Sequence, residues 1–197
     1  SDYGITNKTP EIVEEIFRAA RVIGIEPAAK DGLNWHLFVG NCTGGSTRSR
    51  NPFRLILEKH GLWGLNNKTK RVPEAVFRLP EKQLARFLNL FMACGGSISK
   101  RSKSTWSIEV GLAGEELVRD IARLFHKFGL RGQIRHKVHK ACSSRTGKPF
   151  ESWALVISDG RMLVKFADRI GALSKEKQVE LARLSGALST GSTSDLL

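Results

Sequence analysis

The 197 residues carry 32 lysines and arginines against 19 aspartates and glutamates, a formal charge of +13 with a pI near 10.1. Such a balance attracts polyanions and makes their binding salt-dependent, which points to nucleic acid. Cys42, Cys94 and Cys142 stand far apart in no zinc or disulfide spacing, and no apolar run approaches the roughly 18 residues of a membrane span. An odd cysteine count without a signal peptide suits a reducing intracellular compartment, cytoplasm or nucleoid.

In chain order, a short extended stretch at residues 3–6 precedes an amphipathic helix over 11–24. Thr9 is placed to cap that helix, Pro10 to occupy its first position and Glu11 to make its first turn acidic. Strands are expected at 25–29 and 35–39, and a helix at 52–60 stopped by Gly61. Residues 83–95 read as an apolar helix with Leu84, Phe87, Leu88 and Phe91 on one face, running through small residues into a strand. Trp106–Val110 reads as extended, and 116–129 as a second amphipathic helix stopped at Gly129. Strands at 133–140 and 152–158 flank a basic loop, and a helix over 161–170 ends at Gly171. Residues 189–197 read as a polar, flexible tail.

The organising feature is a repeat. The stretch from Glu11 to Gly24 aligns without gaps on that from Glu116 to Gly129, and the flanking order of strands and helices recurs. On this reading the first repeat occupies residues 1–79 and lacks its opening helix, and the second occupies 80–188. The fold class is α+β: two αββαββα units forming a saddle of antiparallel sheets.

Leu90-Phe-Met-Ala-Cys-Gly-Gly-Ser-Ile98, preceded by Leu62-Trp-Gly64 and Lys70-Arg-Val-Pro73 and followed by Phe166-Ala-Asp-Arg-Ile-Gly171, resembles the LAGLIDADG homing endonucleases, especially those lodged in inteins. The resemblance covers nearly the whole chain. It implies site-specific cleavage of a long double-stranded DNA target, which starts the homing of a mobile element. Two carboxylates, one from each of two paired helices, would hold magnesium ions that activate water for phosphodiester hydrolysis. It further implies a monomer with internal pseudo-two-fold symmetry, completed by a missing N-terminal helix. No splicing pattern is visible, with neither a nucleophilic first residue nor a C-terminal His-Asn.

The sequence departs from the family at the decisive position. Gly95 stands where the motif acid belongs and offers no ligand atom, so both cleavage and magnesium binding are expected to be impaired. Glu81 and Glu109, the nearest acids, are poorly placed to substitute. Lys70 matches the family's lysine before an aliphatic-proline pair, and Lys175 or Lys177 is its looser equivalent in the second repeat.

DNA would be read by two-stranded ribbons in the major groove. The cations expected to contact it are Arg48, Arg50, Lys100, Arg101, Lys103, Arg135, Lys137, Lys140, Arg145 and Lys148, together with His139. Alternation puts Arg135, Lys137 and His139 on one face, with Ile134, Val138 and His136 beneath, and argues against a metal shared by His136 and His139. Trp35, His36 and Asn41 are weaker counterparts in the first repeat, whereas Trp106 and Trp153 read as core. A non-cleaving module of the maturase kind, acting on intron RNA, is the alternative.

Overall fold

The computed structural model describes residues 4–38, 51–102, 105–141 and 147–191. Two compact units result, Ser1–Gly64 and Leu65–Leu197. Both are α+β, each built on an antiparallel sheet.

In the first unit, β1 (Gly4–Thr6), α1 (Pro10–Val22), β2 (Glu26–Asp31), β3 (Asn34–Phe38) and α2 (Pro52–Lys59) follow in order. The strands pair in the order β1-β3-β2. Pro10 opens α1 as expected, but the Thr9 side chain makes no capping hydrogen bond. Asn51 does cap α2, accepting from the Phe53 N–H at 2.8 Å while its amide donates to the Leu37 carbonyl at 3.0 Å. The buried core of this unit is thin: Ala20, Ile25 and Leu37 form its centre, and α2 contributes no fully buried residue.

The second unit begins with a turn over residues 66–70 and the single-turn helix α3 (Glu74–Phe77). Then come α4 (Glu81–Gly95), β4 (Gly96–Lys100), β5 (Trp106–Leu112), α5 (Glu115–His126), β6 (Gln133–His139), β7 (Phe150–Ile157), α6 (Gly160–Arg169) and α7 (Lys175–Gly191). The strands pair β4-β5-β7-β6, all antiparallel. Without β4, this order β5-β7-β6 is the order β1-β3-β2 of the first unit, with a helix between the first two strands in each case. Gly24 and Gly129, aligned in the repeat, both terminate their helices at positive φ (77° and 65°), a conformation glycine adopts without steric cost.

The core of the second unit is substantial. Leu84, Leu88 and Met92 of α4, Val118, Ile121, Leu124 and Phe125 of α5, and Leu163 and Phe166 of α6 pack on Ile108, Val110, Leu155 and Ile157 of the sheet. Leu181 and Leu184 bring α7 into the same cluster, a helix absent from the sequence reading. Asp120, on α5, is almost wholly buried and is met by Arg71 at 2.7 and 2.9 Å and by the Val72 N–H at 3.2 Å. That clamp ties residues 71 and 72 to α5. Aligned positions in α1 are not so covered: Val13, Ile16 and Ile23 are only half-buried, whereas Val118, Ile121 and Phe128 are buried. Among the described residues, no helix is long and apolar enough to cross a membrane.

Candidate nucleic-acid interface

Strand alternation in the second unit sorts side chains cleanly. Ile98, Trp106, Ile108, Val110, Leu155, Ile157 and Ile134 share the face that the helices cover. By the same register the other face carries Ser97 and Ser99 of β4, Ser107, Glu109 and Gly111 of β5, Ser152, Ala154 and Val156 of β7, and Gln133, Arg135, Lys137 and His139 of β6. A one-sided polar sheet of this kind is what a groove-reading surface needs.

On this face Glu109 is central. Its carboxylate accepts from Arg101 Nη2 at 2.7 Å, and Lys137 Nζ reaches it from β6, across the intervening strand β7. The crossing is possible because Gly111 and Ala154 present so little bulk between β5 and β6. Arg101 Nε also donates to Ser107 Oγ at 2.9 Å, and Ser107 Oγ lies 3.4 Å from Ser99 Oγ. Burial pushes the Glu109 carboxyl upward, but the hydrogen bonds and charges of Lys137 and Arg101 outweigh it and hold it below the ordinary glutamate range.

The β6–β7 hairpin runs beyond the helical layer. His139 stacks on Phe150 at 4.3 Å between ring centroids and meets Ser152 Oγ at 2.7 Å. His136 stacks on Trp153 at 4.5 Å on the opposite face, with Glu151 at 3.3 Å. The two histidines therefore do not converge. The expected apolar underside holds at Ile134, which packs on the core, but fails at Val138, which is 69% exposed because the helices do not extend that far.

The sequence-derived cations distribute unevenly. Arg101, Arg135, Lys137 and His139 share the polar face. Lys100 pairs with Trp106 and so lies at an exposed end of the helix-covered side, since β4 ends one residue before Arg101. Lys140 and Lys148 are exposed at the ends of the segment joining β6 to β7. Arg48, Arg50, Lys103, Arg145 and Asn41 lie outside the described residues. In the first unit Trp35 shares a sheet face with Ile5 and Leu37 and meets Phe17 edge-on at 4.9 Å, so it belongs to the inner side and not with His36.

Gly95 is the last residue of α4 and is exposed. A Cβ built on it meets nothing nearer than Leu112 Cδ2 at 4.0 Å, so the position has room for a side chain. Gly96 has none: a Cβ there would fall 2.2 Å from Met92 Cε and 2.9 Å from the Met92 carbonyl oxygen. Lys177, on α7, donates to the carbonyls of Met92 and Ala93 at 2.7 and 2.8 Å. Its ammonium thus sits at the negative pole of α4. Burial lowers the Lys177 pKa, against the opposing influence of Cys94 and Glu176. Lys175 is exposed.

Lys70 ends the 66–70 turn, in which Asn66 Oδ1 accepts from the N–H groups of Lys68 and Thr69, and it is exposed. Asn67 of that turn borders the polar-face groove together with Leu112, the neighbour of Gly95, so the turn and the end of α4 lie at the same end of β5. Glu81 starts α4, at the opposite end of that helix from Gly95, and pairs with Arg169 at 2.9 Å. Sequence reasoning noted Glu109 only as an acid and missed its bridging role, which depends on strand order.

Residues 82–171 match the family model of the LAGLIDADG-like domain. Over most of its length the chain also aligns with the replicative DNA helicase DnaB of Synechocystis sp., 24% identical over 185 residues, 91% of this chain and 20% of that protein. The corresponding helicase of Rhodothermus marinus is 23% identical over 176 residues, 87% of this chain and 18% of that protein. A replication factor C small subunit of Methanocaldococcus jannaschii is 28% identical over 129 residues, 66% of this chain and 6% of that protein. The chain spans a fifth or less of the length of these curated relatives. The family model covers the stretch from α4 to the end of α6, in which an apolar helix runs without a break into the first strand of a polar-faced sheet, and this stretch is what the chain has in common with the LAGLIDADG-like domain.

Proposed function

We propose that this chain recognises a long double-stranded DNA site in the manner of a LAGLIDADG homing endonuclease and is impaired in cutting it. The observation that carries the reading is the segregation of the four-stranded sheet into a helix-backed apolar face and a polar face bearing Arg101, Arg135, Lys137 and His139. A rigid sheet presenting arginine and lysine can enter a major groove and read base edges there. Lys140, Lys148, Arg48, Arg50, Lys103 and Arg145 would anchor phosphates around it.

Cleavage is where the chain falls short. Magnesium is a hard ion that favours carboxylate oxygens. At the end of α4, Gly95 supplies none, and the carbonyls of Met92 and Ala93 are already taken by Lys177. Among the described residues, no group of three or more histidines, cysteines or acids could hold a metal ion. These residues do not fit the family's metal centre, so no hydrolytic step is assigned to them. Lys70 and Lys177 are read as the lysines that would assist a complete centre.

The relatives support an element of the intein-inserted, mobile kind. One stretch of sequence is shared by proteins named as a helicase and as a replication factor subunit, and occupies a minor part of each. The half-covered apolar face of α1 is read as the seat of a helix of the α4 kind, which would complete a pseudo-symmetric monomer.

Selection from a random duplex library, followed by mobility shift and a magnesium cleavage assay on the selected site, tests this. The expected result is a shifted, intact duplex. Efficient cutting would remove the claim of impairment, and preference for structured intron RNA over duplex would replace the reading with the maturase one.

A further inference from the structure

Glu109 is out of place on a surface meant for phosphates. A lone carboxylate in the middle of such a face repels the ligand, and it lowers the net charge of the Arg101–Glu109–Lys137 trio from two positive charges to one. We propose that Glu109 is a positioning residue that holds Arg101 and Lys137 for contact with base edges and withholds them from the DNA backbone. The inference rests on the duplex-DNA reading given above.

The geometry restricts each cation in a different way. Arg101 spends its Nε on Ser107, which is itself buried, and one Nη2 proton on Glu109. Among the described residues, its Nη1 group and the second Nη2 proton meet no partner. A guanidinium fixed along one edge presents the other as a rigid donor pair, the arrangement that reads guanine O6 and N7. Lys137 is stretched across β7 to reach the carboxylate, so its ammonium lies near the middle of the sheet and not at its rim. Phosphates pass along the rims of a surface seated in the groove, whereas base edges lie over its middle.

Energetics point the same way. The Glu109 side chain is 17% exposed. Drawing either cation off to a phosphate would leave a largely buried carboxylate with one charged partner in place of two, which weakens the compensation for its burial. Base edges make no such demand, because a neutral acceptor can share a donor that keeps its ion pair. The carboxylate therefore discriminates against non-specific binding while leaving specific contacts open.

The test uses the whole chain and random-sequence duplex DNA, with affinity measured across a salt series. Glu109→Gln should bind random duplex more tightly, and the slope of log K against log salt should steepen by about 1 to 2, since each further phosphate neutralised adds roughly 0.9. A double variant, Glu109→Gln with Arg101→Gln, should lose part of that increase. If thermal melting shows Glu109→Gln to be unfolded, Lys137→Gln and Arg101→Gln carry the test alone. Each should leave the random-duplex slope unchanged while blurring the consensus selected from a library. A slope unaltered in folded Glu109→Gln, or reduced by about 1 in Lys137→Gln, would overturn the proposal. Failure of the unaltered protein to bind duplex at all would instead sink the DNA reading beneath it.

Discussion

Lys177 Nζ lies 2.7 Å from the main-chain carbonyl oxygen of Met92, so a side chain from the last helix closes the end of α4 immediately before Gly95. Helix C-termini leave carbonyls without intrahelical partners, and a cation there satisfies them while complementing the helix dipole. Lys177→Met should lower the stability of the second unit by about 1–2 kcal/mol, the scale of a charge-assisted hydrogen bond. Denaturant titration should show the midpoint falling with no change in slope.

Adjacent glycines at the end of α4 should respond oppositely to substitution. Gly95→Asp enters open space and should change stability by less than about 1 kcal/mol, because ending glycine's helix penalty offsets a carboxylate at a helix C-terminus. Gly96→Ala places a methyl against the Met92 side chain and carbonyl and should cost about 2 kcal/mol or more. Melting curves of the two variants side by side decide this; equal losses would contradict it.

Acid should weaken the Asp120 clamp. Burial raises this carboxyl, but hydrogen bonds from Arg71 and Val72 and the charges of Arg71 and Arg123 more than offset that, so its pKa lies below the ordinary 3.8. The unfolded chain therefore takes up this proton at a higher pH than the native one does. The clamp's contribution is complete above the ordinary value and is lost as pH falls through the lower native value. Asp120→Asn should cost about 3 kcal/mol at neutral pH, the scale of breaking a buried ion pair. The gap between it and the unaltered protein should close below about pH 4, as chemical denaturation over a pH series would record.

Register on the sheet separates two cations that are alike in sequence. Arg135 lies on the polar face and Lys100 at the exposed end of the helix-covered one. Arg135→Ala should weaken duplex binding, by about 1–3 kcal/mol where the arginine reads a base. Lys100→Ala should leave both affinity and salt slope unchanged in the same titration.

The aligned isoleucines of the repeat offer a further contrast. Ile121 is fully buried and Ile16 only half-buried. Ile121→Ala should cost about 3–4 kcal/mol and Ile16→Ala about 1, since the cost scales with the apolar surface and cavity involved. Hydrogen exchange within each unit would resolve the two effects.

Local signals were strong where the sequence proved legible. The apolar period of α4 and α5, the glycine stops at Gly24 and Gly129, and the alternation of Gln133–His139 all report nearest-neighbour geometry, and each element formed close to its expected bounds. Helix α7 escaped notice because few apolar residues mark it: Leu181 and Leu184 are buried, Val179 is half exposed, and Gly186 interrupts the run. Its stability comes from tertiary packing, although Ser174 ahead of Glu176 is a start signal that could have been read. The phase of Lys100 and Arg101 depended on where β4 ends, and the exposure of Val138 on where the helices stop. The bridge from Glu109 to Lys137 needs β6 and β5 to flank β7, a relation that no local pattern encodes. Lys177 was singled out for a family likeness, but its seat on α4 follows from how α7 packs.

The open surroundings of Gly95 mean that folding does not require glycine there. Selection for a stable, DNA-retaining chain would be blind to the acid, whether present or absent. On the proposed reading, an acid can therefore come and go at this position without loss of the fold that would hold DNA.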